Sequence, residues 1–158
     1  MNKKTAIILF SAMVLIFLAL SIFKGTAKDV ELTIFKPDAN AEYVVASKEA
    51  YSIDVKDTDM VAFIVNEAKT VDVQLAEYNL SKDGDSLILY FTDSLNNVAG
   101  SAGGYLFTGA IVESLFSYFP NLNEVTFKIL DQEDAEMDHL LLNEPFVRGV
   151  DVFTAPTK

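Results

Sequence analysis

His139 is the only histidine in the 158-residue chain, and the chain has no cysteine. A metal site built on two histidines or on thiolates is therefore excluded, as are a cysteine nucleophile, a disulfide and a lipid-modified cysteine. Any nucleophile–base pair would have to recruit His139, yet no serine occupies the Gly-x-Ser-x-Gly elbow that exposes a nucleophile. The simpler expectation is a surface or boundary histidine beside Asp138. Asp131, Glu133, Asp134, Glu136 and Asp138 supply oxygens of the kind calcium takes, but the Asp-x-Asp-x-Asp-Gly spacing and its turn glycine are missing. That run reads as a solvated loop. Gly100, Gly103 and Gly104 lie in Asp93–Gly104 (DSLNNVAGSAGG) and raise the thought of a phosphate cradle. They fit neither Gly-x-x-x-x-Gly-Lys-Ser nor Gly-x-Gly-x-x-Gly, and no Lys or Arg stands nearby, so a flexible connector is expected. No motif brings two carboxylates together for acid–base work. No catalytic, cofactor-binding or metal-ligating residue is assigned, and no cofactor is expected.

The elements that would position any site begin after an apolar leader. Thr5–Phe23 (TAIILFSAMVLIFLALSIF) carries no charge and is flanked by Lys3, Lys4 and Lys24. As a helix it spans roughly 28 Å, close to the hydrocarbon thickness of a bilayer. The leading lysines keep their end cytoplasmic, which places everything after Lys24 outside. A single-pass cell-membrane anchor over residues 1–24 is expected. The alternative is a signal peptide cleaved near Ala27, at Gly25-Thr26-Ala27, with the domain then secreted. Setting Lys3 and Lys4 aside leaves 10 basic residues against 23 acidic ones, a net charge of −13 for the remainder. Such a surface repels phosphates, which argues against nucleic acid as a partner.

After a linker over residues 25–29, Val30–Phe35 alternates apolar and polar residues as a half-buried strand does. Pro37-Asp38-Ala39-Asn40 turns the chain into a second strand, Glu42–Ser47, and so short a connection dictates an antiparallel hairpin. Asp57-Thr58-Asp59 offers N-cap oxygens to a helix over Met60–Lys69, with Val61, Ile64, Val65 and Ala68 on one apolar stripe. Thr70–Tyr78 and Ser86–Thr92 read as two strands joined through Asp83-Gly84, a pair favoured in tight hairpin turns. The stretch Gly103–Asp131 follows: a helix apolar around well over half its circumference, with Glu113 its only charge, then Pro120 and a strand over Glu124–Leu130. Proline ends the helix because it disfavours the helical state of Phe119 and has no amide to donate. Asp131–Asp138 is expected to be an acidic loop, and a mixed run to Val152 closes the domain. The expected fold is α+β: one mainly antiparallel sheet of about five strands, two helices packed on it, and an N-terminal transmembrane helix before it. The domain is expected over residues 30–152, with a tail over 153–158.

The text SLILYFTDSLNN…GGYLFTGAIVESLFSYFPNLNEVTFKILD resembles the GerM domain of sporulation and spore germination. The resemblance rests on Leu87–Leu95, Gly103, Ala110–Leu115, Phe119–Val125 and Val125–Gln132, and extends over Val30–Val147. The chain departs from the family pattern at Glu67–Val71, which replaces a Leu-x-x-Gly-Pro helix ending, and at Gln132, which replaces a glycine. GerM domains are similar to ring-building motifs, small modules that pack against neighbours in extracytoplasmic complexes, and no catalytic residues are attributed to them. The resemblance thus implies a membrane-anchored, non-enzymatic interaction domain in a cell-envelope, sporulation or germination complex. Expected partners are the membrane, through Thr5–Phe23, and envelope proteins, with self-association among the options. A ligand- or cell-wall-binding module is the alternative, favoured if Tyr43, Tyr51, Tyr78 and Tyr105 gather on the surface. A carboxylate-dependent hydrolase is the third reading.

Overall fold

The computed structural model describes residues 28–132, 136–137, 140–142, 144–150 and 152–155. Thr5–Phe23 and the Ala27 cleavage site therefore lie outside the described residues. Among the described residues, no helix is long and apolar enough to cross a membrane.

The first hairpin forms as its alternation predicts, but its strands are longer. β1 (Lys28–Pro37) pairs antiparallel with β2 (Val44–Ile53), in unbroken register from Lys28↔Ile53 to Pro37↔Val44. The turn is held by Asp38, whose carboxylate accepts from the amides of Glu42 and Tyr43 at 2.8 and 3.0 Å. Those amides hold the Asp38 carboxyl below its ordinary pKa. α1 (Met60–Ala68) follows, capped by the Asp59 side chain on the Ala62 amide at 3.1 Å. Its stripe of Val61, Ile64, Val65 and Ala68 is buried.

β3 (Leu75–Leu80) and β4 (Ser86–Phe91) form the second hairpin, with Gly84 at φ 74° in the turn. A left-handed backbone there suits glycine, which has no Cβ to clash. β3 starts five residues later than the alternation from Thr70 suggests. The Gln74 amide is taken by Ser94 Oγ at 2.9 Å and the Val73 carbonyl by Lys69 Nζ at 3.2 Å, so side chains take bonds a ladder would use, and of Gln74 only the carbonyl still meets the backbone, at the Thr92 amide 3.0 Å away. The segment expected to be a flexible glycine connector is ordered as a 3₁₀ turn, Asp93–Asn97, followed by the start of α2 (Ser101–Tyr118). Gly103 and Gly104 belong to the first turn of that helix, and Gly100, at φ 77°, precedes it. β5 (Glu124–Ile129) then runs parallel to β4, from Ser86↔Glu124 to Phe91↔Ile129. Short pieces end the domain: β6 (Glu136–Met137), β7 (Leu140–Leu141) and β8 (Phe146–Val147).

The architecture is α+β with two helices, but the strands do not make one antiparallel sheet. They form a two-stranded β1-β2 ribbon, a four-stranded sheet of order β3-β4-β5-β8, and a two-stranded β6-β7 pair. The four-stranded sheet is mixed because an 18-residue helix connects β4 to β5, and a crossover of that length permits parallel pairing. The ribbon stays separate from it. α2 lies against β1, where Ser114 Oγ accepts the Phe35 amide at 2.8 Å. On its other side Phe107 meets Phe91 and Phe127, from β4 and β5, with ring centroids 6.0 and 6.2 Å apart. α2 also touches α1. Cover on several sides explains an apolar surface that goes almost all the way round.

The C-terminal segment completes this cover. Phe153, assigned by sequence to the tail, is 2% exposed and packs on Gly109 of α2. Its carbonyl accepts the Val44 amide at 3.1 Å. The Arg148 guanidinium donates to the carbonyls of Leu122, Phe116 and Phe119 at 2.7–2.9 Å and stacks over the Phe116 ring. A cation at the carbonyl end of α2 satisfies groups that a helix leaves open.

Candidate functional site

Of the acidic run and His139, only Asp131 is described with its side chain. Asp131 is exposed at the end of β5 with φ 62°. Glu133, Asp134, Asp138 and His139 lie outside the described residues, and Glu136 is placed only as backbone in β6. Among the described residues, no group of three or more acids or histidines is arranged to hold a metal. The four tyrosines serve different parts of the fold. Tyr51 meets Phe63 edge-on and donates to Glu49 Oε2 at 2.7 Å. Burial and the neighbouring carboxylates of Glu49 and Glu67 push its phenol up in pKa. Glu49, held by Lys36 Nζ at 2.7 Å and by Tyr51, is shifted down. Tyr105 lies on Phe153 and donates to the Val152 carbonyl. Tyr43 is half-buried beside the first turn.

Tyr78 differs, because its hydroxyl donates to Asp59 Oδ1 at 3.0 Å, the same oxygen that caps α1. Burial and that carboxylate raise its pKa. The contact ties β3 to the start of α1. At the other end of α1, Lys69 holds the Val73 carbonyl and stands 3.7 Å from the Asp72 carboxylate. α1 therefore runs back along β3, its N-terminus at Tyr78 and its C-terminus beside the approach to Leu75.

Between them opens a cleft of about 380 Å³. Ala62, Val65, Val73 and Leu75 give it an apolar lining, while Asn66, Lys69, Asp72 and Gln74 bring polar groups to it. Asn66, Asp72 and Gln74 are exposed. The Asn66 and Gln74 carboxamides have no hydrogen-bond partner among the described residues, so each has donors and an acceptor to offer. An apolar cleft with a few convergent polar groups is the usual form of a binding site. A smaller cavity of about 150 Å³ lies between β1 and the end of α2, near Thr33, Ile64 and Tyr118.

The cleft reaches β3 at Leu75, the first residue of an open strand edge. β3 is the outer strand of its sheet. The Ser81 amide bonds to the Ser86 carbonyl at 2.9 Å, which fixes the phase of the ladder. Antiparallel pairs alternate between bonded and non-bonded, and the register pairs Asn79 with Ile88 and Glu77 with Tyr90. Those residues face β4, so the amides and carbonyls of Tyr78 and Leu80 point away from it. They have no backbone partner among the described residues, and Leu80 is 43% exposed.

Sequence reasoning missed this site. It treated Thr70–Tyr78 as continuous strand, which hid the turn that opens the cleft. Lys69 at the close of a helix, followed by Asp72 and Gln74, was the available signal.

No family model and no curated protein matches the sequence. Among solved structures the chain is similar to the tandem GerMN domains of the sporulation protein GerM from Bacillus subtilis. That match has a TM-score of 0.57 and 19% identity, over 84% of this chain and 49% of the other. The chain thus spans about half the length of that two-domain structure. A provisionally assigned lipoprotein from Clostridium perfringens matches with a TM-score of 0.45 and 11% identity, over 76% of this chain and 88% of the other. The domain has a GerM-like fold.

Proposed function

We propose that the chain is a membrane-anchored, extracytoplasmic, non-enzymatic interaction module that contributes to assembly of a cell-envelope, sporulation or germination complex. The observation that carries this reading is the GerM-like fold, which the domain shares with a sporulation protein built of two such units. The apolar segment Thr5–Phe23, with lysines before it, supports anchoring with the domain outside. The open edge of β3 supports association, since unpaired strand edges are ready templates for another chain. Crosslinking the full chain in intact cells, with identification of its adducts, tests the proposal. Reproducible adducts with envelope proteins are expected. Recovery as a monomer under every growth condition would overturn it.

A further inference from the structure

We infer that β3 and the cleft beside α1 form a docking groove for an extended, basic peptide segment of a protein partner, which adds to the sheet as a further strand. The inference rests on the interaction-module reading and assigns that module its contact surface.

Three features lead to it. Tyr78 and Leu80 turn their amides and carbonyls outward, two residues apart, as an added strand requires. An added strand on this edge would run beside α1. Its alternate side chains would then lie near the apolar lining of Ala62, Val65 and Leu75. The charge around the groove selects the partner: Asp59, Asp72 and Glu77 are exposed, whereas Lys69 is the one cation lining the cleft and is already engaged by Asp72 and Val73. Apolar residues alternating with Lys or Arg complement this surface, and an acidic segment would be repelled.

A second copy of this chain is the competing occupant. Its edge would bring Glu77 and the same acidic surroundings to the groove, and the net charge of −13 carried by residues 5–158 of each copy opposes close approach. The carboxamides of Asn66 and Gln74 suit peptide groups, which present one donor and one acceptor per residue.

The test is selection of a displayed library of random nine-residue peptides against the full chain in detergent. Peptides with apolar residues alternating with Lys or Arg are expected to be enriched. Leu80→Pro removes an outward amide without touching the β4 ladder. It should weaken a selected peptide at least tenfold while leaving the thermal transition in place. Methylating alternate backbone nitrogens of the peptide should abolish binding, a result that a pocket recognising side chains alone would not give. Glu77→Lys, on the solvent face, should weaken basic peptides and leave folding intact.

Failure to enrich any peptide, enrichment of acidic ones, or equal binding to Leu80→Pro would each overturn the inference. So would a concentration-dependent dimer abolished by Leu80→Pro, which would give the edge to a second copy. The two proposals fail separately. Envelope adducts that persist in Leu80→Pro cells sink the groove and leave the interaction module standing, whereas absence of adducts with the unaltered chain sinks the module.

Discussion

Individual side chains decide how closely the parts of this domain can approach. A Cβ added at Gly109 would stand 2.7 Å from the Phe153 ring and 2.8 Å from its Cβ. Because the Phe153 Cβ is included, turning the ring cannot relieve the contact, and the backbone of the C-terminal segment must lift. Overpacking of this kind costs about 1–3 kcal/mol, while alanine's better helix propensity returns about 1 kcal/mol. Gly109→Ala should therefore destabilise the domain in urea unfolding, by up to about 2 kcal/mol. It should also speed hydrogen exchange at the Val44 amide, which bonds to the Phe153 carbonyl. Glu113 gives the opposite sign. Burial holds its carboxyl above the ordinary 4.5, with Arg148 pulling partly the other way. A folded-state pKa above the unfolded one contributes stability below the unfolded value, and that contribution is lost as pH rises through the folded value. Glu113→Gln, which cannot ionise, should be more stable than the natural chain at pH 7. The gap should close as pH falls toward 4.5, read from urea midpoints across that range. Spacing assigned no candidate site residue, and Arg148 could not be recognised either, because its three carbonyl partners come together only when the chain closes on α2.

At the scale of elements, what was legible depended on how local the determinant is. Asp59 as an N-cap, the Asp38 turn, the Gly84 hairpin and the stripe of α1 are written within a few residues, and each forms as expected. Strand partners are not local. The alternation of Glu124–Ile129 reveals a strand but cannot say that it lies parallel to β4, nor that β1 and β2 keep to themselves. The cleft was hidden for a similar reason. Val71 and Val73 keep the period of a strand, while Ser94, twenty residues on, takes the Gln74 amide out of any ladder. Ser114 joins two of these elements. It accepts from the Phe35 amide and donates to the Ala110 carbonyl at 2.6 Å, and is itself 1% exposed. Ser114→Ala would leave the Phe35 amide without that acceptor, a loss of about 1–3 kcal/mol. Slightly better helix propensity offsets only a few tenths of this. Thermal unfolding should show the drop, and faster exchange at Phe35 with little change at Leu89 would place it in the ribbon rather than in the sheet.

At the scale of the molecule, the C-terminal segment adds further ties between parts that already meet on α2. β8 pairs with β5 through Glu124↔Val147 and Val125↔Phe146. Arg148 closes the carbonyl end of α2, and Phe153 fills the space over Gly109 while its carbonyl holds β2 at Val44. Removing a buried phenylalanine side chain alone costs about 3–5 kcal/mol. Domains of this kind have only about 5–15 kcal/mol in total. Phe153→Ala should therefore keep a cooperative transition at a clearly lower urea midpoint. Deleting residues 144–155 also opens the β5 edge and strips the cap from α2, so that chain should lose its single cooperative transition in urea and bind hydrophobic dyes. If the deletion leaves both midpoint and cooperativity unchanged, the segment is peripheral and the cover on α2 must come from the sheet, ribbon and α1 alone. Intermediate behaviour in Phe153→Ala with collapse in the deletion would show that the strand pairing and the arginine cap act together with the aromatic anchor.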